Sequence, residues 1–168
     1  MHDTSTIPAP FDEYATEIRP EWIDYNGHMN VAYYVLVFDY ATEAFWNYLG
    51  IGEEYLKRTG NSTFALESHI TYQGEVKLGE RVRVASQLLG VDAKRLHYMH
   101  RMYHADKGYL ASTLECVSLH VSLTTRRGAP FPADRMAFLE RVLTAHRRLA
   151  LPAEAGRSVG LHRRPAVS

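Results

Sequence analysis

The sequence predicts an α+β domain in which an antiparallel sheet wraps one long helix. Three observations point there. Asn30 to Leu49 reads as one helical run with Val31, Tyr34, Val35, Phe38, Phe45, Trp46 and Leu49 spread over several faces, so other elements must enclose it. Strand-like segments separated by turn residues follow between Thr63 and Leu123. These strands are segregated from the helix rather than alternating with helices, which excludes a doubly wound sheet.

Taken in order, residues 1–13 read as irregular, and Tyr14 to Ile18 as a short strand stopped by Pro20. Glu21 to Met29 is a polar loop. Asn30 is a good N-cap for the long helix and Gly50 a good C-terminal stop. Asp39, Thr42, Glu43 and Asn47 interrupt that helix and disqualify it as a membrane span. A second small helix is expected over Gly52 to Arg58, then a turn at Gly60-Asn61. Thr63 to Gln73 alternates as a strand, with Phe64, Leu66, Ser68, Ile70 and Tyr72 on one face and Ala65, Glu67, His69 and Thr71 on the other. Further strands are expected over Arg81–Leu89, Lys94–His104 and Tyr109–Leu123, and Thr124 to Gly128 exits the last of them. Together with Thr63–Gln73 they read as an antiparallel meander. Ala133–Leu149 closes the domain as an amphipathic helix with Met136, Leu139, Val142, Leu143 and His146 on one stripe. The expected organisation is one domain over 1–150 and a Pro-, Gly-, Ala- and Arg-rich extension over 151–168.

At 168 residues the chain is long enough for a sizeable core. Lys+Arg and Asp+Glu balance at 19 each, so no global charge calls for nucleic acid or an acidic membrane surface. The single Cys116 excludes an internal disulfide and suggests a reducing compartment. The N-terminal stretch lacks the basic and apolar regions of a secretory signal, so a cytoplasmic location is expected.

The run Asp24-Tyr-Asn-Gly27-His28-Met-Asn30 at the helix entrance, followed at helical spacing by Tyr33 and Tyr34, resembles the hotdog-fold thioesterases of the 4-hydroxybenzoyl-CoA thioesterase-like group. The likeness covers roughly residues 14–147. It implies a curled sheet of about five strands around a central helix, a homodimer or homotetramer with sheets joined edge to edge, and paired active sites at the interface. Glu67-Ser-His69-Ile-Thr-Tyr72, Asp92-Ala-Lys94-Arg95-Leu-His97, Leu119-His120-Val121, Thr125-Arg126-Arg127 and Ala129-Pro130-Phe131-Pro132 extend it. That finer pattern is similar to the betainyl-CoA thioesterases of carnitine degradation, some of which are fused to a carnitine dehydrogenase. No G-x-G-x-x-G is present here. The implied reaction is hydrolysis of a small acyl-CoA, coenzyme A being part of the substrate and no cofactor being required.

The resemblance places the catalytic carboxylate at Asp24, as nucleophile or as general base toward water. A loop aspartate that only makes an Asx-turn is the plain alternative. Gly27 permits a φ > 0 turn and close approach of substrate. The first-turn amides near Asn30 and Val31 can polarise the thioester carbonyl. His28 either holds Asp24 or substrate, or is a loop histidine bonded to backbone. Glu67 either approaches the site from a partner subunit and faces a quaternary ammonium, or forms an ion pair with Arg95 or Arg101. Glu115 is expected to be structural. Trp22, Tyr25, Tyr33, Trp46 and Tyr72 gather around the loop and helix, with Trp22 and Tyr25 the candidate cation cage. Lys94, Arg95, Arg126 and Arg127 are candidates for the CoA phosphates.

Other chemistries fit less well. On a strand His97 and His100 point to opposite faces, and His100 and His104 stand about 13 Å apart, too far to share one metal ion. Cys116 lies in a strand without the surroundings of a nucleophile, and no Gly-x-Ser-x-Gly is present. A hotdog hydratase needs Asp and His five apart with Asn-Pro between, whereas Asp24 and His28 are four apart. A non-catalytic acyl-CoA-binding module tolerates loss of Asp24, which is present here.

Overall fold

The computed structural model describes residues 6–161. The expectations for residues 1–5 and for the last part of the extension, 162–168, lie outside these residues. The core is a helix α1 (Val31–Leu49) held in a curled antiparallel sheet of five strands: β1 (Phe11–Glu17), β2 (Asn61–Tyr72), β3 (Arg81–Val91), β4 (Arg95–His104) and β5 (Leu110–Ser122). A short helix α2 (Glu53–Thr59) follows α1, a two-residue strand β6 (Arg127–Gly128) follows β5, and α3 (Ala133–His146) comes last. The fold is α+β, as expected.

α1 begins and ends where its sequence dictates. The Asn30 side chain accepts the Ala32 amide, and Gly50 stops the helix at φ 71°. Phe38, Phe45 and Leu49 are completely buried against the sheet, and Phe45 stacks between Phe11 and His146. Burying a side chain of this size contributes roughly 1.5–3 kcal/mol. Phe11 explains why β1 starts three residues earlier than expected. Its ring is buried on Phe45 and Tyr48, and it pairs with Ser86 across a register shift.

The strands do not form a simple meander. Their order is β1-β3-β4-β5-β2, so β2 pairs with β5 at the far edge and not with β3. The connection 73–80 crosses the N-terminal end of α1 to reach β3: Val76 is buried, and its carbonyl accepts the Met29 amide. The segment after β5 turns back as β6 instead of leaving the sheet, pairing Gly128 with Val121. At the other edge α3 takes over beside β3 just beyond the start of β1. His146 Nδ1 accepts the Leu88 amide at 2.8 Å, and its Nε2 donates to the Pro8 carbonyl at 2.9 Å.

The face assignment expected for β2 holds only beyond Leu66. Ala65 pairs with Ser118 and Glu67 with Val117, so a bulge at Leu66 reverses the alternation. Thr63 and Ala65 therefore share the helix-facing side with Ser68, Ile70 and Tyr72, whereas Phe64 turns outward. Among the described residues β2 has a strand on only one side, and Phe64 and Leu66 are exposed.

Four more histidines are built into this framework. His100 is buried between Thr42 Oγ1 at 2.9 Å and Ser86 Oγ at 2.8 Å. Thr42 spends its proton on the Phe38 carbonyl, so His100 Nε2 donates to Thr42 and Nδ1 accepts from Ser86. His120 Nε2 accepts a hydrogen bond from the Tyr55 hydroxyl, and its Nδ1 donates to the Ala129 carbonyl. His104 Nδ1 accepts two loop amides, and His97 meets Glu115 at 2.7 Å. The Glu115 carboxylate also accepts the Gly156 amide and so ties down the extension, the structural role expected of it.

Burial pushes the His100 imidazole down to about 3, and burial also lowers His146. The unfolded chain binds these protons near pH 6.5 and the folded chain does not. Stability is therefore fully present above pH 6.5 and falls as pH drops toward the folded value, at about 1.4 kcal/mol per pH unit for His100. Thermal melts between pH 7 and pH 4.5 should show this decline. His100→Gln should flatten the slope by one proton, whatever its own stability; an unchanged slope would remove His100 as the source.

Candidate active site

Asp24 sits in the loop between a 3-10 turn at Pro20–Trp22 and the start of α1. The loop is closed by Asp24 N–H donating to the His28 carbonyl and Gly27 N–H to the Asp24 carbonyl, with Gly27 at φ 82°. One carboxylate oxygen accepts the Asn26 amide at 2.8 Å and the other the Asn30 Nδ2 at 3.1 Å. The Asx-turn is thus real, and it is also the device that aims the carboxylate. The Asn26 amide, the Asn30 side chain and nearby His28 hold Asp24 below the usual carboxylate range, so it is ionised at neutral pH.

Asn30 has two tasks. Its oxygen caps the Ala32 amide and its nitrogen holds Asp24. With the Tyr33 amide taken by the Asn30 carbonyl, the Val31 amide has no hydrogen-bond partner among the described residues. A free donor at the positive end of a helix, next to an ionised carboxylate, can polarise a carbonyl and hold an oxyanion. Asn30→Asp separates the two tasks of this residue. The cap oxygen survives, but a donor to Asp24 becomes a second negative charge. The acid limb of kcat/KM should move up by about one pH unit or more while thermal stability changes little. An unmoved acid limb would detach Asn30 from Asp24.

The other expected residues divide. His28 does not bond Asp24; its Nε2 lies 3.5 Å from Glu75. His28, Val31 and Tyr72 line a cleft of about 280 Å³ between the start of α1 and the end of β2, where Tyr34 donates to the Gly74 carbonyl. Trp22 and Tyr25 do not form a cage. Trp22 is buried, stacked on Tyr33 at 5.8 Å with the Arg19 guanidinium over its ring, while Tyr25 is 97% exposed. Their adjacency to Asp24 in sequence is undone by the turn, which sends the two rings apart. Glu67 is exposed and lies opposite Val117, on the sheet side away from α1, with no ion pair to Arg95 or Arg101. Arg95 pairs with Asp92 at 2.6 Å. Arg126, at φ 57°, and Arg127 are exposed beside the β5–β6 turn, near the N-terminal end of β2.

A second chamber, of about 400 Å³, lies along α1 from Val35 to Trp46, between α2, β2 and the inner sheet face. Phe38, Trp46 and Tyr98 form its aromatic wall, Cys116 and Ser118 its floor, and Asp39 and Glu43 stand at its mouth. Sequence reasoning did not assign this chamber. Its signal was available: Asp39 and Glu43 are spaced i, i+4 with Val35, Thr42 and Trp46 on the same face of a helix otherwise apolar.

The fold and this loop define a thioesterase of the hotdog type. The family model for the thioesterase-like superfamily matches residues 18–141, and the chain belongs to that family. It is 45% identical over 88% of its length to the betainyl-CoA thioesterase of Pseudomonas aeruginosa, of which it covers 93%. It is 36% identical over 88% of its length to an L-carnitine dehydrogenase/betainyl-CoA thioesterase of Rhizobium meliloti, matching 30% of that longer chain. Among solved structures it resembles a hypothetical protein of Staphylococcus aureus in complex with CoA, at TM-score 0.85 and 26% identity, covering 95% of this chain and all of the other. A DHNA-CoA thioesterase of the same organism shares the fold, at TM-score 0.73 and 17% identity over 80% of this chain and 92% of the other. Thioester hydrolysis is its reaction class.

Proposed function

We propose that the protein hydrolyses betainyl-CoA to glycine betaine and CoA. The observation that carries the chemistry is the Asp24 carboxylate, ionised and aimed by Asn26 and Asn30 beside the free Val31 amide. The substrate carbonyl accepts from Val31 while Asp24 acts on the carbonyl carbon, through water or directly. The C–S bond then breaks, and the thiolate leaves with a proton. Water and these groups suffice, without metal or redox cofactor. The acyl group is assigned from the 45% identity to a betainyl-CoA thioesterase.

The working unit is a homodimer joined along β2, whose unpaired twelve-residue edge carries exposed Phe64 and Leu66. Arg126 and Arg127 serve the CoA phosphates. The lone, buried Cys116 accords with a reducing, cytoplasmic setting. Thiol release from betainyl-, acetyl-, 4-hydroxybenzoyl- and a medium-chain acyl-CoA tests the reading. Betainyl-CoA should lead by about 100-fold in kcat/KM. A lead for an aromatic or fatty acyl group would replace the substrate, and no release from any of the four would overturn the activity.

A further inference from the structure

We infer that Asp39 and Glu43 are the charge-selecting residues for a cationic acyl headgroup held in the chamber along α1, the chamber meeting the Asp24 of the partner subunit at the interface that the family likeness implies. This rests on the thioesterase reading above and deepens it.

The chamber's chemistry selects for a cation. Among the described residues, three acidic side chains line it and no Lys or Arg does. Of the three, Glu53 is neutralised by Lys57 at 3.0 Å, whereas Asp39 and Glu43 have no ion-pair partner among the described residues. Behind them stand rings rather than polar groups. Phe38 is fully buried, and Trp46 and Tyr98 meet edge to face at 4.9 Å. Ring faces attract a quaternary ammonium, which offers no hydrogen-bond donor and so gains nothing from a polar pocket. Two unpaired carboxylates at the rim add a field that a neutral acyl group does not use.

Geometry decides which active site it serves. Along α1, Asp39 lies nine residues and Glu43 thirteen residues beyond Asn30, about 13 and 20 Å at 1.5 Å per residue. In a betainyl group the ammonium nitrogen is two bonds from the carbonyl carbon, so one substrate cannot span Asp24 and the chamber of the same chain. Antiparallel pairing of two β2 edges about a two-fold axis removes the conflict. The Tyr72 end of one strand then lies beside the Asn61 end of the other. Tyr72 borders the cleft next to the Asp24 loop, and Ser62 and Thr63 border the chamber. The chamber is open on that flank, where Ala65 and Ser68 are exposed. The same pairing brings the Arg126–Arg127 turn of one chain toward the Asp24 end of the other.

The test compares betainyl-CoA with 3,3-dimethylbutyryl-CoA, its neutral isostere with carbon in place of nitrogen. The wild-type enzyme should prefer the cation by about 100-fold in kcat/KM, and Asp39→Asn/Glu43→Gln should bring that ratio down to within a few-fold of one. A variant that keeps the ratio, or a wild type that treats both thioesters alike, would overturn the inference and leave the thioesterase reading intact. Hydrolysis of only aromatic or fatty acyl-CoA would overturn the substrate assignment and the inference together.

Mixing Asp24→Asn chains with Asp39→Asn/Glu43→Gln chains tests the trans arrangement. Half of the reassociated dimers are hybrids, each with one site intact in both respects, so about a quarter of wild-type betainyl-CoA turnover should return. Turnover no greater than the mean of the separate variants would place chamber and carboxylate in one chain, against the inference. Should the double variant fold poorly, Glu43→Gln alone serves both measurements with a smaller expected ratio change.

Discussion

Asp24→Asn should lower kcat at least about 100-fold while leaving the melting temperature nearly unchanged. The asparagine oxygen still accepts the Asn26 amide that closes the Asx-turn, so the loop keeps its shape. What disappears is the negative charge, and with it the capacity to take a proton from water or to attack a carbonyl. The side chain is only partly buried and sits outside the hydrophobic core, so little folding energy depends on it. Turnover by thiol release, read beside a thermal melt, separates chemistry from stability. Wild-type turnover in a folded Asp24→Asn protein would remove Asp24 from the mechanism and favour a binding role for the fold.

The candidate active-site loop was the most legible part of the chain because its determinants are local. An N-cap, a positive-φ glycine and an Asx-turn each act over two or three residues, so Asn30, Gly27 and Asp24 could be placed from spacing and a family likeness. The central helix was legible for the same reason, being bounded by Asn30 and Gly50. Other features depend on contacts distant in sequence. The bulge at Leu66 exists only against β5, and without it Ala65 and Ser68 would not share a face. The order of the strands depends on the 73–80 crossing, which is anchored by Val76 over the start of α1. Trp22 illustrates the converse: a residue two positions from Asp24 in sequence is claimed by the core through Tyr33 and Arg19. The chamber needed α1, α2, β2 and the sheet together. From the sequence, Asp39 and Glu43 said only that the helix does not cross a membrane.

Replacing Phe64 and Leu66 together with lysine should convert the proposed dimer to a monomer and lower turnover by about 50-fold or more. Both side chains are exposed within one chain, at 44% and 56%, so neither change removes a core contact, and the far-ultraviolet spectrum should be retained. On the β2 edge, however, they stand where a second copy would approach in the proposed dimer. Charged side chains there oppose edge-to-edge pairing through desolvation and like-charge repulsion across the two-fold axis. If the partner's chamber completes each site, separating the chains strips the Asp24 loop of its acyl subsite even though every residue of the loop is intact. Mass by light scattering and thiol release on the same sample read the two effects. A monomer with full turnover would show that one chain suffices and would sink the shared site. An intact, fully active dimer would move the interface away from β2.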